Sequence, residues 1–383
     1  MKPVHSISSA VTLLTAACLL CGCEYMPEIR PYIKPEQTTA AVSETTAQIQ
    51  ETTTQPAADL IDPINESNAL YQSIVNALQN FQDTVVLDYK PETGYVSEIC
   101  RQIRIKHPEW FWFEGCFSME SDSHSAELKL RMPSSAEQQK YLDMTQALTD
   151  AADAVIAEIP ENASNYEKAL AVHDYITGNT TYDKNTEYAH SPYGCLVEHT
   201  ACCEGYSKAF LLLMNRLHIP AGLCSGQTNG NGHMWNYIYL DGKYYWVDVT
   251  WDDPLCASPD KDLSNHAFCF VNDDLLLKTH TPDPKQIIPK CSSMDMNYFV
   301  QNGTYFSSYD LETVSAAITA QLDAPYIEMM FGSDAESAAA VEDLFTNNQF
   351  WEIKDLPEDK RSCSYSQDDE TPMLRIELTE SES

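Results

Sequence analysis

The run Cys202-Cys203-Glu204-Gly205-Tyr206 decides how this chain is read. It continues through Ser207-Lys208-Ala209-Phe210-Leu211-Leu212-Leu213-Met214-Asn215-Arg216-Leu217-His218 and stops at Ile219-Pro220. Tyr206, Phe210, Leu213, Met214 and Leu217 recur at helical spacing, with Leu211 and Leu212 beside them. Such a pattern predicts a helix buried on most sides, and Pro220 supplies its stop. Cys203 falls in the first turn. Unpaired N–H groups and the positive end of the helix dipole gather there, and both favour thiolate over thiol. The thiolate is the species that attacks.

Two strand-like runs follow, Gly232-His233-Met234-Trp235-Asn236-Tyr237-Ile238-Tyr239-Leu240 and Lys243-Tyr244-Tyr245-Trp246-Val247-Asp248-Val249-Thr250-Trp251. Asp241-Gly242 between them is a strong two-residue hairpin signal. With that loop, Leu240 opposes Lys243, Trp235 opposes Asp248 and His233 opposes Thr250. His233 and Asp248 then share a face as diagonal neighbours, roughly 7–8 Å apart at the backbone. A three-residue loop would put them on opposite faces. The shared face suits a carboxylate that orients an imidazole beside a nucleophile. A lone Cys is usually a buried small hydrophobe. The sequence instead combines a Cys opening a buried helix, a His after the glycine-rich stretch Gly226 to Gly232, and an Asp on the partner strand at the right parity.

Four blocks in order carry a resemblance: Gly194-Cys195-Leu196-Val197, Cys203-Glu204-Gly205-Tyr206, Gly232-His233-Met234-Trp235-Asn236, and Tyr245-Trp246-Val247-Asp248-Val249-Thr250-Trp251-Asp252-Asp253-Pro254. Together they resemble the bacterial transglutaminase-like family, a papain-like cysteine fold, over about residues 160 to 256. The resemblance implies Cys203 as nucleophile, His233 as general base and acid, Asp248 as orienter, and an oxyanion hole with the Cys203 N–H as one donor. Cys202 is a rival thiol, but the family places the nucleophile directly before Glu-Gly-Tyr. Cys202 and Met234 stand where small residues are commoner. The family includes acyl-transferring crosslinkers, proteases, amidases and inactive binding modules. The active ones share thiolate attack on an amide carbonyl. An amine acceptor then gives transfer and water gives hydrolysis. The expected fold is α+β: a Cys-bearing helix packed on an antiparallel sheet that bears His and Asp, with an N-terminal α/β region and a small C-terminal α+β module.

The 383 residues carry a formal charge of −34. This argues against nucleic acid and against electrostatic adhesion to anionic lipid. Residues 1–23 read as a targeting segment, with Lys2 and His5 before an apolar run too short to span a bilayer. It ends Leu20-Cys21-Gly22-Cys23, the pattern of a bacterial lipobox, which makes Cys23 the expected lipidation site. A diacylglyceryl group carries more than one chain, so the anchor is stable. Residues 24–61 are polar and low in complexity, a Thr/Pro/Gln-rich tether that cannot bury a core.

Residues 62–158 form an N-terminal α+β region. It holds amphipathic helices at Leu70 to Phe81 and Val96 to Ile103, a helix opened by a Ser134–Glu137 capping box, and paired strands at Trp110 to Phe113 and Ala126 to Arg131. The catalytic core spans 159–258 and begins with a helix marked by Tyr166, Leu170, Val172, His173 and Ile176; His173 reads as structural. A C-terminal module, 259–383, should carry a hairpin turning at Asn302-Gly303, a helix near Leu311 to Leu322 and a last strand at Met373 to Leu378.

Thirteen cysteines are present. Removing Cys18, Cys21, Cys23 and Cys203 leaves nine, an odd number that cannot all pair internally. Unpaired thiols suggest a reducing setting that keeps Cys203 active. No cysteine or histidine spacing predicts zinc, so no metal or cofactor is expected. The expected protein is a lipid-anchored enzyme on the extracellular face of a bacterial membrane, acting on an extracellular or cell-wall protein or peptide. It touches the membrane through the anchor only. The alternative is a non-catalytic surface binding or adhesion module on the same fold.

Overall fold

The computed structural model describes residues 68–121, 124–253, 265–354, 356, 360–368 and 370–380. The expected signal segment, Cys23 and the tether lie outside the described residues.

Helix α1 (Ala69–Gln79) starts where the Asn68 side chain accepts from the N–H groups of Leu70 and Tyr71. Strand β1 (Thr84–Leu87) and helix α2 (Thr93–Lys106) follow, then β2 (Phe117–Ser121) and β3 (Ala126–Leu130). They form an antiparallel sheet of order β1-β3-β2, and α1 and α2 pack Leu70, Ile74, Leu78, Val96, Ile99 and Ile103 into one core with it. The strand expected at Trp110 to Phe113 does not form. That run is a pair of tight turns, with Trp110 N–H donating to His107 O and Phe113 N–H to Trp110 O. Its rings go in different directions. Trp110 stacks on His107, Phe113 is buried in the N-terminal core, and Phe111 packs against Tyr193 of the next unit. The partner of β3 is instead β2.

Helix α3 (Ser135–Ala157) opens with the expected Ser134–Glu137 capping box, and α4 (Asn165–Asn179) with a second, Ser164–Glu167. The two-residue strands β4 (Thr181–Tyr182) and β5 (Thr200–Ala201) flank α5 (Pro192–Leu196). Helix α6 (Cys203–Arg216) runs through the centre of the largest core, with Tyr206, Phe210, Leu213 and Met214 fully buried. Gly205 makes this possible. A Cβ there would lie 2.4 Å from Ala189 O and 2.7 Å from Ala201 Cβ, so only hydrogen fits between the helix and the chain crossing it.

Strands β6 (Ala221–Thr228), β7 (Asn231–Leu240), β8 (Lys243–Val247) and β9 (Cys269–Val271) follow. After the short α7 (Asp273–Leu276) comes β10 (His280–Pro282), and the five strands make one antiparallel sheet of order β10-β6-β7-β8-β9. Both edge strands come from beyond residue 258, so the sheet crosses the boundary expected there. The glycine-rich stretch before His233 is no free loop. It is the end of β6 and a tight turn in which Asn229 and Gly230 both have positive φ, 50° and 79°.

In the C-terminal part, α8 (Tyr298–Gln301) is capped by the Asn297 side chain. Strand β11 (Tyr305–Phe306), helix α9 (Leu311–Ala320), β12 (Ile327–Phe331), α10 (Asp334–Val341), β13 (Lys360–Gln367) and β14 (Met373–Glu380) complete the chain. Asn302-Gly303 ends a helix here and makes no hairpin. Asn297 also donates to Cys269 O, which ties the preceding residues into a helical turn against the core, and β11 pairs in parallel with β12. No disulfide joins any of the nine cysteines among the described residues.

Gly205→Ala is expected to destabilise the protein by about 1–3 kcal/mol, because the Ala189 carbonyl and the short Ala201 methyl leave nothing flexible to yield. Urea unfolding with a wild-type m-value checks it; an unchanged midpoint would contradict this packing.

Candidate active site

Cys202 is extended (φ −99°, ψ −179°) and caps α6, so Cys203 is the first helical residue, as the sequence predicts. The helix is pinned to β7 one turn further on. Ser207 Oγ donates to Met234 O at 2.9 Å, and Asn236 Nδ2 donates to Ser207 O at 3.0 Å and Gly222 O at 3.2 Å. Met234 follows His233, and Ser207 lies one turn after Cys203. These bonds therefore bring the start of α6 to the His233 end of β7.

The β7–β8 loop is the expected two-residue Asp241-Gly242 turn, with Leu240 opposite Lys243. The ladder runs to Asn236 opposite Val247 and ends there. The pairing expected between His233 and Thr250 is absent. Asp248 Oδ1 accepts the N–H groups of Thr250 (3.0 Å) and Trp251 (3.1 Å), and this local turn pulls the chain out of the strand. The parity argument survives, because Asp248 Oδ2 meets His233 Nε2 at 2.6 Å with both side chains buried. Burial works against charge on Asp248, but His233 and His280 beside it hold its carboxyl well below the usual range. A carboxylate only accepts, so His233 carries its proton on Nε2 and Nδ1 is left over for other chemistry.

His280 is the residue that sequence reasoning missed. It comes from β10 and places Nε2 2.9 Å from the same Asp248 Oδ2. No local pattern marks it. It is one of ten histidines, and only the pairing of β10 with β6 brings it in.

The rival thiol has its own partner. Cys202 Sγ lies 3.2 Å from His190 Nδ1, and the same nitrogen lies 3.0 Å from Glu204 Oε2. Contact with Cys203, opposed by burial and helped by His190, pulls the Cys202 thiol down to about 5. Cys202 and Glu204 in turn lift His190 to about 10. Glu204 also holds Lys208 at 2.5 Å.

His173 is fully buried and bridges Asp174 (2.9 Å) and Asp252 (3.0 Å), the structural role the sequence suggested. Among the described residues two groups have ligand-like spacing, His173–Asp174–His266 and His233–Asp248–His280, each within 4.8 Å. In both, histidine nitrogens already meet the group's carboxylate. Their members come from distant elements, which is why no sequence spacing announced them.

The Transglutaminase-like superfamily profile matches residues 153–250. Kyphoscoliosis peptidase is similar to part of this chain, at 24% identity over 147 residues in the Mus musculus protein and 23% over 154 in the Homo sapiens protein. These matches cover 33% and 35% of this chain but only 22% and 23% of those relatives. A solved TGase structure aligns at 15% identity and a TM-score of 0.26, over 46% of this chain and 52% of that one. Residues 153–250, which bear Cys203, His233 and Asp248, are thus a transglutaminase-like domain, built from helices and an antiparallel sheet in an α+β arrangement.

Proposed function

We propose that this chain is a cysteine enzyme that attacks a peptide or amide carbonyl through Cys203, His233 and Asp248. The observation that carries the reading is the buried 2.6 Å contact of His233 with Asp248, set at the end of β7 to which the first turns of α6 are pinned. In the first step Cys203 Sγ gives its proton to His233 Nδ1 and, as thiolate, forms a bond to the carbonyl carbon, while the carbonyl π-electrons move to oxygen. The N–H of Cys203 at the helix start is a donor for that oxyanion. Collapse of the intermediate breaks the C–N bond, and the proton on His233 Nδ1 goes to the leaving amine. The thioester that remains is cleared by an amine, giving acyl transfer, or by water, giving hydrolysis. His233 takes the proton from either. Asp248 holds the ring through Nε2 in both steps.

Cys203 is preferred to Cys202 because it stands inside the helix turn pinned to the His233 strand, whereas Cys202 Sγ is engaged with His190. A second reading, a non-catalytic binding module, is favoured by one observation: Cys203 is only 1% exposed. Two clefts of about 330 and 810 Å³ lie elsewhere, lined by Ile159 and Glu167 and by Phe81 and Gln138.

The substrate class is an extracellular or cell-wall protein or peptide. The protein reaches it from the outer face of a bacterial membrane, on a lipid at Cys23 and a tether over 24–61. The charge of −34 argues against a nucleic-acid partner.

Alkylation by iodoacetamide across pH, mapped by mass spectrometry in wild type and in Cys202→Ala, tests the nucleophile. Cys203 should react well below pH 8, and His233→Ala should slow it on the order of 10²-fold at pH 6, the factor by which the thiolate population falls. Cys203 reacting no faster than the buried thiols would hand the lead to the binding module. A peptide panel with and without an added primary amine then separates transfer from hydrolysis; no turnover of any peptide by an enzyme with a reactive Cys203 would contradict the amide substrate class. Cys23→Ser should move the protein from the membrane fraction to the soluble one. Retention in the membrane fraction would remove the anchor from the proposal.

A further inference from the structure

Strand β10 reaches the site from outside the stretch that matches the family. His280 pairs with Thr228, Thr281 with Gln227 and Pro282 with Gly226, which itself lies opposite His233. Gly226 leaves room for this approach: a Cβ there would stand 2.2 Å from Thr281 O and 2.7 Å from the Trp235 ring. The strand delivers a fully buried imidazole to a carboxylate that already has a partner.

We propose that His280 is a positioning residue of the Cys203–His233 site, acting on His233 through Asp248. This rests on the reading of Cys203 and His233 as nucleophile and base. Oδ2 of Asp248 receives His233 at 2.6 Å and His280 at 2.9 Å, while Oδ1 receives the Thr250 and Trp251 N–H groups. Both imidazoles must donate from Nε2, because a carboxylate has no proton to give. His280 Nδ1 is then an acceptor, and the Thr279 hydroxyl stands 2.7 Å from it. Burial lowers the His280 pKa, so the ring stays neutral and donates without adding charge.

The charged groups facing His280 are Asp248 and His233. Its other faces meet Trp235, Trp251 and Phe268, with ring centroids 4.9, 4.6 and 5.4 Å away. In that aromatic box a phenyl ring would fill the space without a buried polar atom. An imidazole is costly there unless its N–H is used.

Two effects follow from the second donor. The carboxylate cannot rotate about its Cβ–Cγ bond without breaking bonds on both oxygens, so the His233 ring is held in one orientation. The donor also draws off part of the negative charge that His233 feels. Removing it leaves a stronger anion beside the imidazolium, so the His233 pKa should rise.

The test uses the full protein with ¹³C-labelled histidine. NMR titration reads the His233 pKa, assigned with His233→Ala, and iodoacetamide reactivity of Cys203 is measured alongside. A Gln amide reaches the position of imidazole Nε2, and an Asn amide only that of Nδ1. His280→Gln should therefore keep the wild-type His233 pKa and Cys203 rate. His280→Asn should raise that pKa by about one unit, a roughly tenfold change in proton affinity. Should the Asn variant fail to fold, Thr279→Val weakens the His280 donor from behind and should move the pKa the same way by less. An unmoved His233 pKa in the folded variants, with Cys203 still selectively reactive, overturns the role of His280 alone. Loss of selective Cys203 reactivity in wild type overturns the nucleophile reading and this proposal with it.

Discussion

A carboxylate with no exposure at all is the constraint around which this site is built. Asp248 is fully buried and ionised, and an ion in that state is tolerated only when its lone pairs are met. Its four donors come from three places: β7, β10, and the turn at Thr250 and Trp251. Its own N–H is fixed to Phe268 O just before β9. The five strands must therefore be in register before the charge is accommodated. Removing one donor leaves a buried anion short of a partner, which costs more than the lost bond is worth. The contacts that accommodate the buried charge are thus the same ones that hold the His233 ring.

How far this was legible in the sequence depends on the range of the forces involved. Helix α6 was readable because the period of Tyr206, Phe210 and Leu213 is local, and its end at Pro220 is a property of one residue. The shared face of His233 and Asp248 was readable because a two-residue turn fixes parity over a whole hairpin. It held even though the ladder stopped at Val247, since the Asx-type turn around Asp248 Oδ1 acts after the parity has been set. Trp110 to Phe113 failed for the opposite reason. Aromatic residues have high strand propensity only as a statement about packing, and here the packing surfaces lie on different sides of the chain. Asn302-Gly303 failed because the pair marks any left-handed residue, and a helix end uses one as readily as a hairpin does. His280 was beyond reach altogether, because a three-residue edge strand carries no period.

Two adjacent thiols with separate imidazoles raise a question of division. Cys202, itself buried, meets a charged arrangement of His190 and Glu204 that reaches the surface through His190, about half exposed. His233 with Asp248 is the buried one. A low thiol pKa alone does not make a nucleophile, since nucleophilicity falls along with basicity. What the chemistry needs is a base whose tautomer and orientation are fixed, and an oxyanion donor next to the attacking sulfur. The His233–Asp248 contact fixes one ring, and Cys203 stands in the first turn of α6, where N–H groups have no partner within the helix. The charge network around Cys202 has another consequence that needs no catalysis. Glu204 in the first turn is held at once by His190 and Lys208, and an anion in that position stabilises a helix start. The same carboxylate that pulls on His190 therefore also steadies the turn on which Cys203 stands.

The C-terminal part is connected to Asp248 by more than chain continuity. Glu328 on β12 meets His266 at 3.0 Å, His266 meets Asp174 at 3.1 Å, and Asp174 meets His173 at 2.9 Å. His173 meets Asp252 at 3.0 Å, and Asp252 Oδ1 accepts the N–H of Phe268 at 2.8 Å. Phe268 O then accepts the N–H of Asp248 at 3.3 Å. Acid and imidazole alternate along the side-chain part of this line, so each carboxylate has a donor and each ring nitrogen a carboxylate. Burial opposes charge on His173, yet the flanking carboxylates lift it to about 9, so the bridge is ionic at neutral pH. A buried ionic bridge is intolerant of losing one member. The sheet that follows the transglutaminase-like stretch is therefore fastened to the strand end that carries the orienting carboxylate. The bonded line runs from α4 through β12, well past residues 153–250, where the family profile matches.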